Sequence, residues 1–116
     1  MPGKACDGFC PLGPYLVTAD EVGDPNDALP IRAYLNGELR QENNTSDMIY
    51  KCKGLVSRIS SYFTLHPGDV ILTGTPSGIV HTYPEEERVY LQDGDIVDIE
   101  VGNLGRLRSY FKKETI

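Results

Sequence analysis

The chain is short of positive charge: eleven Lys and Arg stand against seventeen Asp and Glu, giving a formal net charge of −6. Nucleic acids and anionic membrane surfaces are gripped by clustered Lys and Arg. Here the basic residues are scattered, and only Lys112-Lys113 and the Arg106/Arg108 pair come close together. The composition therefore excludes a nucleic-acid or anionic-membrane surface. No apolar run is long enough for a membrane span, while 40% hydrophobic and 24% charged residues make an ordinary globular balance. Cysteine is sparse and odd in number, Cys6, Cys10 and Cys52, and Met1 to Cys10 holds no apolar segment of secretory-leader length. A reducing compartment follows as the expectation, the cytoplasm or the mitochondrial matrix. Cys6 and Cys10 have no matching second pair, and His66 and His81 lie far off in sequence, so these thiols read as packed or incidental rather than as metal ligands.

What is present reads as strands around one helix in a single domain of 116 residues. Pro11 and Pro14 prevent a helix and deliver a short strand, Tyr15 to Thr18. A polar loop with Gly23, Pro25 and Pro30 leads to Ile31, Ala33 and Leu35, which alternate with Arg32 and Tyr34 as a half-buried strand does. Asn36-Gly37 accepts the positive φ of a type I′ turn, so Glu38 to Gln41 should return antiparallel. Asn43-Asn44-Thr45-Ser46 offers N-cap side chains, and apolar residues from Met48 to Phe63 then recur at three- and four-residue steps. That pattern predicts an amphipathic helix over about 46–63, in which Gly54 marks either close packing against a neighbour, the commoner reason, or a weak point. Thr82 to Arg88, with three glutamates, is a solvated loop. Val97, Ile99 and Val101 alternate with Asp98 and Glu100 as a further strand, and Arg106 to Phe111 forms the last. The class is mainly β with one amphipathic helix (α+β).

Between these elements lies Pro67-Gly68-Asp69-Val70-Ile71-Leu72-Thr73-Gly74-Thr75-Pro76-Ser77-Gly78. A turn, a short buried strand over Val70 to Leu72 and a second glycine-punctuated turn follow one another. Thr73, Thr75 and Ser77 supply hydroxyls there, and the glycines let backbone amides approach a neighbour. An ordinary strand-end turn explains the same residues. Pro67-Gly68-Asp69 is echoed by Asp93-Gly94-Asp95, each a tight acidic turn feeding an apolar strand.

Lys4 to Pro14, Thr18 to Val22, Asn36 to Gln41, Asn44 to Ile49 and Pro67 to Gly78 stand in an order and spacing that resembles the fumarylacetoacetate hydrolase family, over nearly the whole chain. The resemblance implies a β-roll with a mixed sheet, of which this chain is the C-terminal part, incomplete at the N-terminus. It implies a metal-dependent hydrolase, lyase or tautomerase of small 2-oxo acids, acylpyruvate- or oxaloacetate-like, working through a stabilised enolate, with Mg²⁺ or Mn²⁺ as cofactor. Lys4 then matches the family's catalytic lysine, and Thr75 with Gly74 the turn that holds the substrate's carboxylate. Gln41 is a weaker candidate for lining the pocket, with an exposed strand-end amide as its alternative; alone, Lys4 reads as a solvated terminal lysine. The family's metal ligands, a Glu-x-Glu pair and a later Asp, precede the position of Lys4, and nothing in this chain matches them. Glu85-x-Glu87 and Asp98-x-Glu100 share the spacing but not the place, so no metal ligand is assigned, and Asp98 and Glu100 read as the wet face of a strand. The expected partners are a small 2-oxo acid and a second copy or a complementary N-terminal half, since unpaired strands and an uncovered apolar face must be covered. The alternative is a catalytically inactive remnant of the fold, serving as a binding or assembly module.

Overall fold

A computed structural model describes residues 6–115. Four strands, β1 (Pro30–Leu35), β2 (Glu38–Asn44), β3 (Ile96–Val101) and β4 (Arg106–Tyr110), form one sheet in the order β2-β1-β3-β4. Every pairing among the described residues is antiparallel, where the resemblance implied a mixed sheet. The β1–β2 hairpin turns at Asn36 (φ 52°) and Gly37 (φ 87°), the two positive values a type I′ turn requires. Asn36 also docks the hairpin on β3. Its N–H donates to the Ile96 carbonyl at 2.8 Å, its Oδ1 accepts from the Ile96 N–H at 2.9 Å, and its Nδ2 donates to Asp95 Oδ1 at 2.9 Å.

The register slips by one residue within the hairpin: Ala33 pairs with Gln41 but Tyr34 with Leu39. Arg40 is thus the extra residue of a β-bulge, and its carbonyl is turned out of the ladder. The Tyr83 hydroxyl donates to that carbonyl at 2.8 Å, and the Arg40 guanidinium lies over the Tyr83 ring, 4.6 Å from its centre. A strand edge that would otherwise be bare is in this way joined to the loop that follows Gly78.

Opposite faces of the sheet differ sharply. One carries Ile31, Ala33, Val97, Ile99 and Val101 at cross-strand positions, yet Ala33 is the only buried hydrophobic residue among those described. The other carries charge instead of a wet, unstructured surface. Asp98, buried at 4% exposure, accepts from Arg108 through both oxygens at 2.8 Å, and Arg106 lies 3.6 Å from its Oδ2. Glu100 accepts from Arg106 Nε at 2.7 Å, and Arg32 pairs with Glu42 at 2.7 Å. The Arg108 fork, planar and bidentate, satisfies both oxygens of the buried Asp98 carboxylate and offsets the cost of its burial, with the Arg106 charge beside it.

The helix is shorter than its apolar spacing predicts. Thr45–Asp47 is a single 3-10 turn, the chain is non-helical through Lys51, and α2 spans only Cys52–Ser60. Polar anchors interrupt it. Thr45 exchanges two bonds with Leu29, its N–H to the Leu29 carbonyl and its Oγ1 from the Leu29 N–H, each at 2.9 Å. Lys51 Nζ donates to the Ser46 carbonyl at 2.6 Å, taking the acceptor a continuous helix would use. Asn26 Oδ1 then accepts from the Cys52 N–H at 3.3 Å, capping the restarted helix from a distant loop. A Cβ on Gly54 would meet open space, so close packing does not explain that glycine. α1 is one turn, Ala19–Val22.

Two expected strands carry no ladder hydrogen bonds among the described residues: Tyr15 to Thr18 and Val70 to Leu72. The second is also not buried, with Val70 61% and Leu72 69% exposed. Its entry turn is nevertheless built as expected. Asp69 Oδ2 accepts from the His66 N–H at 2.7 Å, as Asp95 Oδ2 accepts from the Gln92 N–H at 2.6 Å. One copy of the device finds a partner and becomes β3. The other delivers an apolar segment with none. Thr82 to Arg88, expected as a loop, is a run touched by two 3-10 turns, Val80–Thr82 and Glu85–Glu87, exposed except at the half-buried Tyr83 and Arg88.

Candidate functional site

A cavity of about 470 Å³ lies between the 73–77 turn and the stretch from the end of β2 to Tyr50. Thr73, Gly74, Thr75, Pro76 and Ser77 form one wall, and Asn43, Thr45, Asp47 and Tyr50 contribute to the other. Gly74 has φ +96°, and nothing lies within 4 Å of where its Cβ would stand, so the backbone there is bare toward its surroundings. Among the described residues, the N–H groups of Gly74 and Thr75 donate to no backbone carbonyl. Hydroxyls and unspent amides facing a concave surface are what an anionic group needs. Asp47 is the one charged residue of the described lining, and it is acidic. A cation for a bound carboxylate must therefore come from outside these residues.

The turn is held from behind by the hairpin. Gln41, on β2, donates through Nε2 to Thr75 Oγ1 at 3.2 Å and to the carbonyls of Pro76 and Ser77, both at 3.0 Å. Gly78 completes the junction. A Cβ there would stand 2.6 Å from the Arg40 carbonyl and 3.1 Å from Gln41 Cγ, and φ is +94°. Only a residue without a side chain lets the chain cross the bulge so closely. Gln41 does not line the cavity; it stands behind the wall.

Thr75 and Gly74 thus share one wall, with Gln41 bonded to it, while Lys4 lies outside the described residues. The spacing of residues gave no sign of the Arg40 bulge, the Tyr83 bond to it or the Asn26 cap. Gly78 was legible as punctuation, but its tight approach to β2 was not.

For a divalent metal the described residues do not fit. No three His, Cys, Asp or Glu side chains among them come together as a metal site would require. Asp98 and Glu100 are spent on Arg108 and Arg106, and Glu85 and Glu87 sit in an exposed 3-10 turn. Cys6, Cys10 and Cys52 are free thiols.

Comparison with known proteins gives the arrangement its context. Residues 1–112 match the family model described as fumarylacetoacetate (FAA) hydrolase C-terminal. The mitochondrial oxaloacetate tautomerase of Bos taurus is 49% identical over 104 residues, 89% of this chain and 32% of the relative. Fumarylacetoacetate hydrolase from Exiguobacterium antarcticum superimposes with a TM-score of 0.89 at 41% identity, covering 97% of this chain and 39% of that one. Maleylpyruvate hydrolase from a Sphingobium species, solved with manganese(II) and pyruvate, gives a TM-score of 0.77 at 36% identity, covering 90% of this chain and 36% of that one. The chain spans between about a third and two-fifths of the length of these proteins. It belongs to the fumarylacetoacetate hydrolase family and carries the C-terminal part of that family's domain.

Proposed function

We propose that the chain supplies the carboxylate-gripping wall of an enzyme site for small 2-oxo acids of the acylpyruvate or oxaloacetate kind. The observation that carries this is the Gly74-Thr75 turn, an open glycine backbone beside a hydroxyl-bearing residue, both among the residues lining the cavity. The names of the relatives, an oxaloacetate tautomerase and two hydrolases of oxo acids, support the substrate class. The Thr75 hydroxyl and the neighbouring N–H groups grip the substrate's carboxylate and fix the oxo group beside it. Hydrolytic C–C cleavage, decarboxylation and tautomerisation all build enolate charge next to that carboxylate. A turn already aimed at it favours the charged state without reorganising. Lys4 is the proposed catalytic cation, by family position. Carboxylates for Mg²⁺ or Mn²⁺ would come from residues other than those described.

The same reading covers the surface. The chain exposes 9413 Å², against about 6,300 Å² for a free-standing fold of its mass. Val70, Leu72, Tyr15 and Leu16 are among the apolar side chains left outside. A complementary N-terminal half or a second copy closes the sheet into the family's roll and pairs the Val70 to Leu72 segment. The three free thiols suit a reducing compartment, cytoplasm or mitochondrial matrix. A module that assembles but does not catalyse is the second reading, favoured by the absence of a metal-ligating group among the described residues.

Thr75→Val in the full-length protein, supplied with Mg²⁺ or Mn²⁺, is expected to lower kcat/KM for oxaloacetate tautomerisation about 10- to 100-fold, the loss of one charge-assisted hydrogen bond. Unchanged turnover refutes the site, and no turnover by the unaltered protein on oxaloacetate or acylpyruvates favours the assembly module. Light scattering at micromolar concentration should show a particle larger than the 12.8 kDa chain. A well-folded monomer would contradict the covered-surface reading.

A further inference from the structure

The amide of Gln41 faces three acceptors and no donor. Two of them are the backbone carbonyls of Pro76 and Ser77, which fixes the NH₂ end toward the turn. The third is the Thr75 hydroxyl oxygen. The amide nitrogen has two protons for these three acceptors, so Thr75 Oγ1, at the longest distance, shares one of them with a carbonyl; the nitrogen takes no proton, so Thr75 Oγ1 can only receive from it. The hydroxyl proton of Thr75 is then barred from that direction. Thr75 is also one of the residues lining the cavity, and Gln41 is not.

We infer that Gln41 is a positioning residue: it staples the 75–77 turn to β2 and sets the polarity of Thr75, leaving that hydroxyl's proton for a ligand acceptor in the cavity. A threonine hydroxyl left to itself rotates among its staggered positions and is donor or acceptor by turns. One occupied by an N–H from behind is presented as a donor, the polarity an anion needs. The bulge at Arg40 and the missing side chain at Gly78 bring strand and turn close enough for this. Glutamate at position 41 would reverse the arrangement, placing a carboxylate against two carbonyls and in place to accept the Thr75 proton itself.

The functional half of this inference rests on the carboxylate-binding reading of Thr75, so its test has two arms on the full-length protein. Without ligand, ¹⁵N NMR should show the Gln41 side-chain NH₂ protected from exchange and shifted by Thr75→Val. Gln41→Met should move the Gly74, Thr75 and Ser77 amides and leave the Asn36-Gly37 turn unmoved. Free-amide exchange, or turn amides indifferent to Gln41→Met, would overturn the staple. With oxalate as the probe, Thr75→Val and Gln41→Met should each weaken binding about tenfold, the double variant no more than Thr75→Val alone, and Gln41→Glu about a hundredfold. Additive losses in the double variant would overturn the positioning role. Oxalate that fails to bind the unaltered protein sinks the proposed function, and the ligand-free arm still decides whether Gln41 holds the turn.

Discussion

Gly78→Ala is expected to dislodge the wall of the cavity and destabilise the fold by roughly 2–5 kcal/mol, combining backbone strain at positive φ with overpacking. The clash falls on backbone, the Arg40 carbonyl at 2.6 Å, which cannot swing aside as a flexible side chain would. Arg40 is held in place by the Tyr83 hydroxyl and by the ladder on either side of the bulge. Relief must therefore come from the turn, which lifts away and breaks the three bonds of Gln41. Denaturant unfolding measures the loss, and oxalate binding by whatever folded protein remains measures the wall. Gly74→Ala is the control: its φ is equally positive but its Cβ meets nothing within 4 Å, so it should cost about 1 kcal/mol of strain and leave the Gln41 bonds intact. Equal losses at the two glycines would show that the close approach to Arg40 carries no weight.

Asp98→Asn should give the largest loss among charge-changing variants, and a loss that depends on pH in a defined direction. The Arg108 hydrogen bonds hold the Asp98 carboxyl below its ordinary value of 3.8, against the opposing pull of burial, with the Arg108 and Arg106 charges adding to the effect. Arg108 is correspondingly raised. A carboxyl depressed in the folded state binds its proton more readily when unfolded. Its stabilising contribution is therefore complete above pH 3.8 and is lost as the pH falls from there through the folded value. Asp95 behaves alike, lowered first by the Asn36 side chain and then by the Gln92 N–H. At pH 7 Asp98→Asn should lower the urea midpoint by about 1 M, since it leaves two arginines facing a neutral amide. As the pH falls below 3.8 the gap between the variant and the unaltered protein should narrow. A constant offset across that range would show that the Arg108 pairing does not set the acid limb of stability.

Local chemistry was legible in the residues, and distant pairing was not. Asn36-Gly37 fixed its own turn because both residues accept positive φ, and the two acidic turns at Asp69 and Asp95 closed alike because each carboxylate reaches an N–H three residues back. Periodicity overran at the helix because apolar spacing is blind to Thr45, Lys51 and Asn26, whose polar bonds lie elsewhere in the chain. Asp98 read as wet because alternation assigns a face and not its cover; Arg106 and Arg108 on the neighbouring strand supply the cover. At the site, Thr75 and Gly74 were visible as a hydroxyl and a bare backbone in a familiar order. The hold of Gln41 on them was hidden, because it depends on a one-residue slip in register that no spacing announces.

The sheet also carries an order of events. Its two hairpins are local and can form in about 1–10 μs, whereas β1 meets β3 only when Leu35 finds Val97 across the intervening chain. Closing a loop of about sixty residues costs roughly 3–4 kcal/mol in chain entropy before any contact compensates. Asn36, bonded to both Asp95 and Ile96, is placed where that closure ends. Both walls of the cavity, 43–50 and 73–77, belong to or border the loop so closed. The cavity's own closure, Gln41 onto Thr75, lies inside that loop and spans only 34 residues, so its two walls can meet on the edge of β2 before the central seam forms.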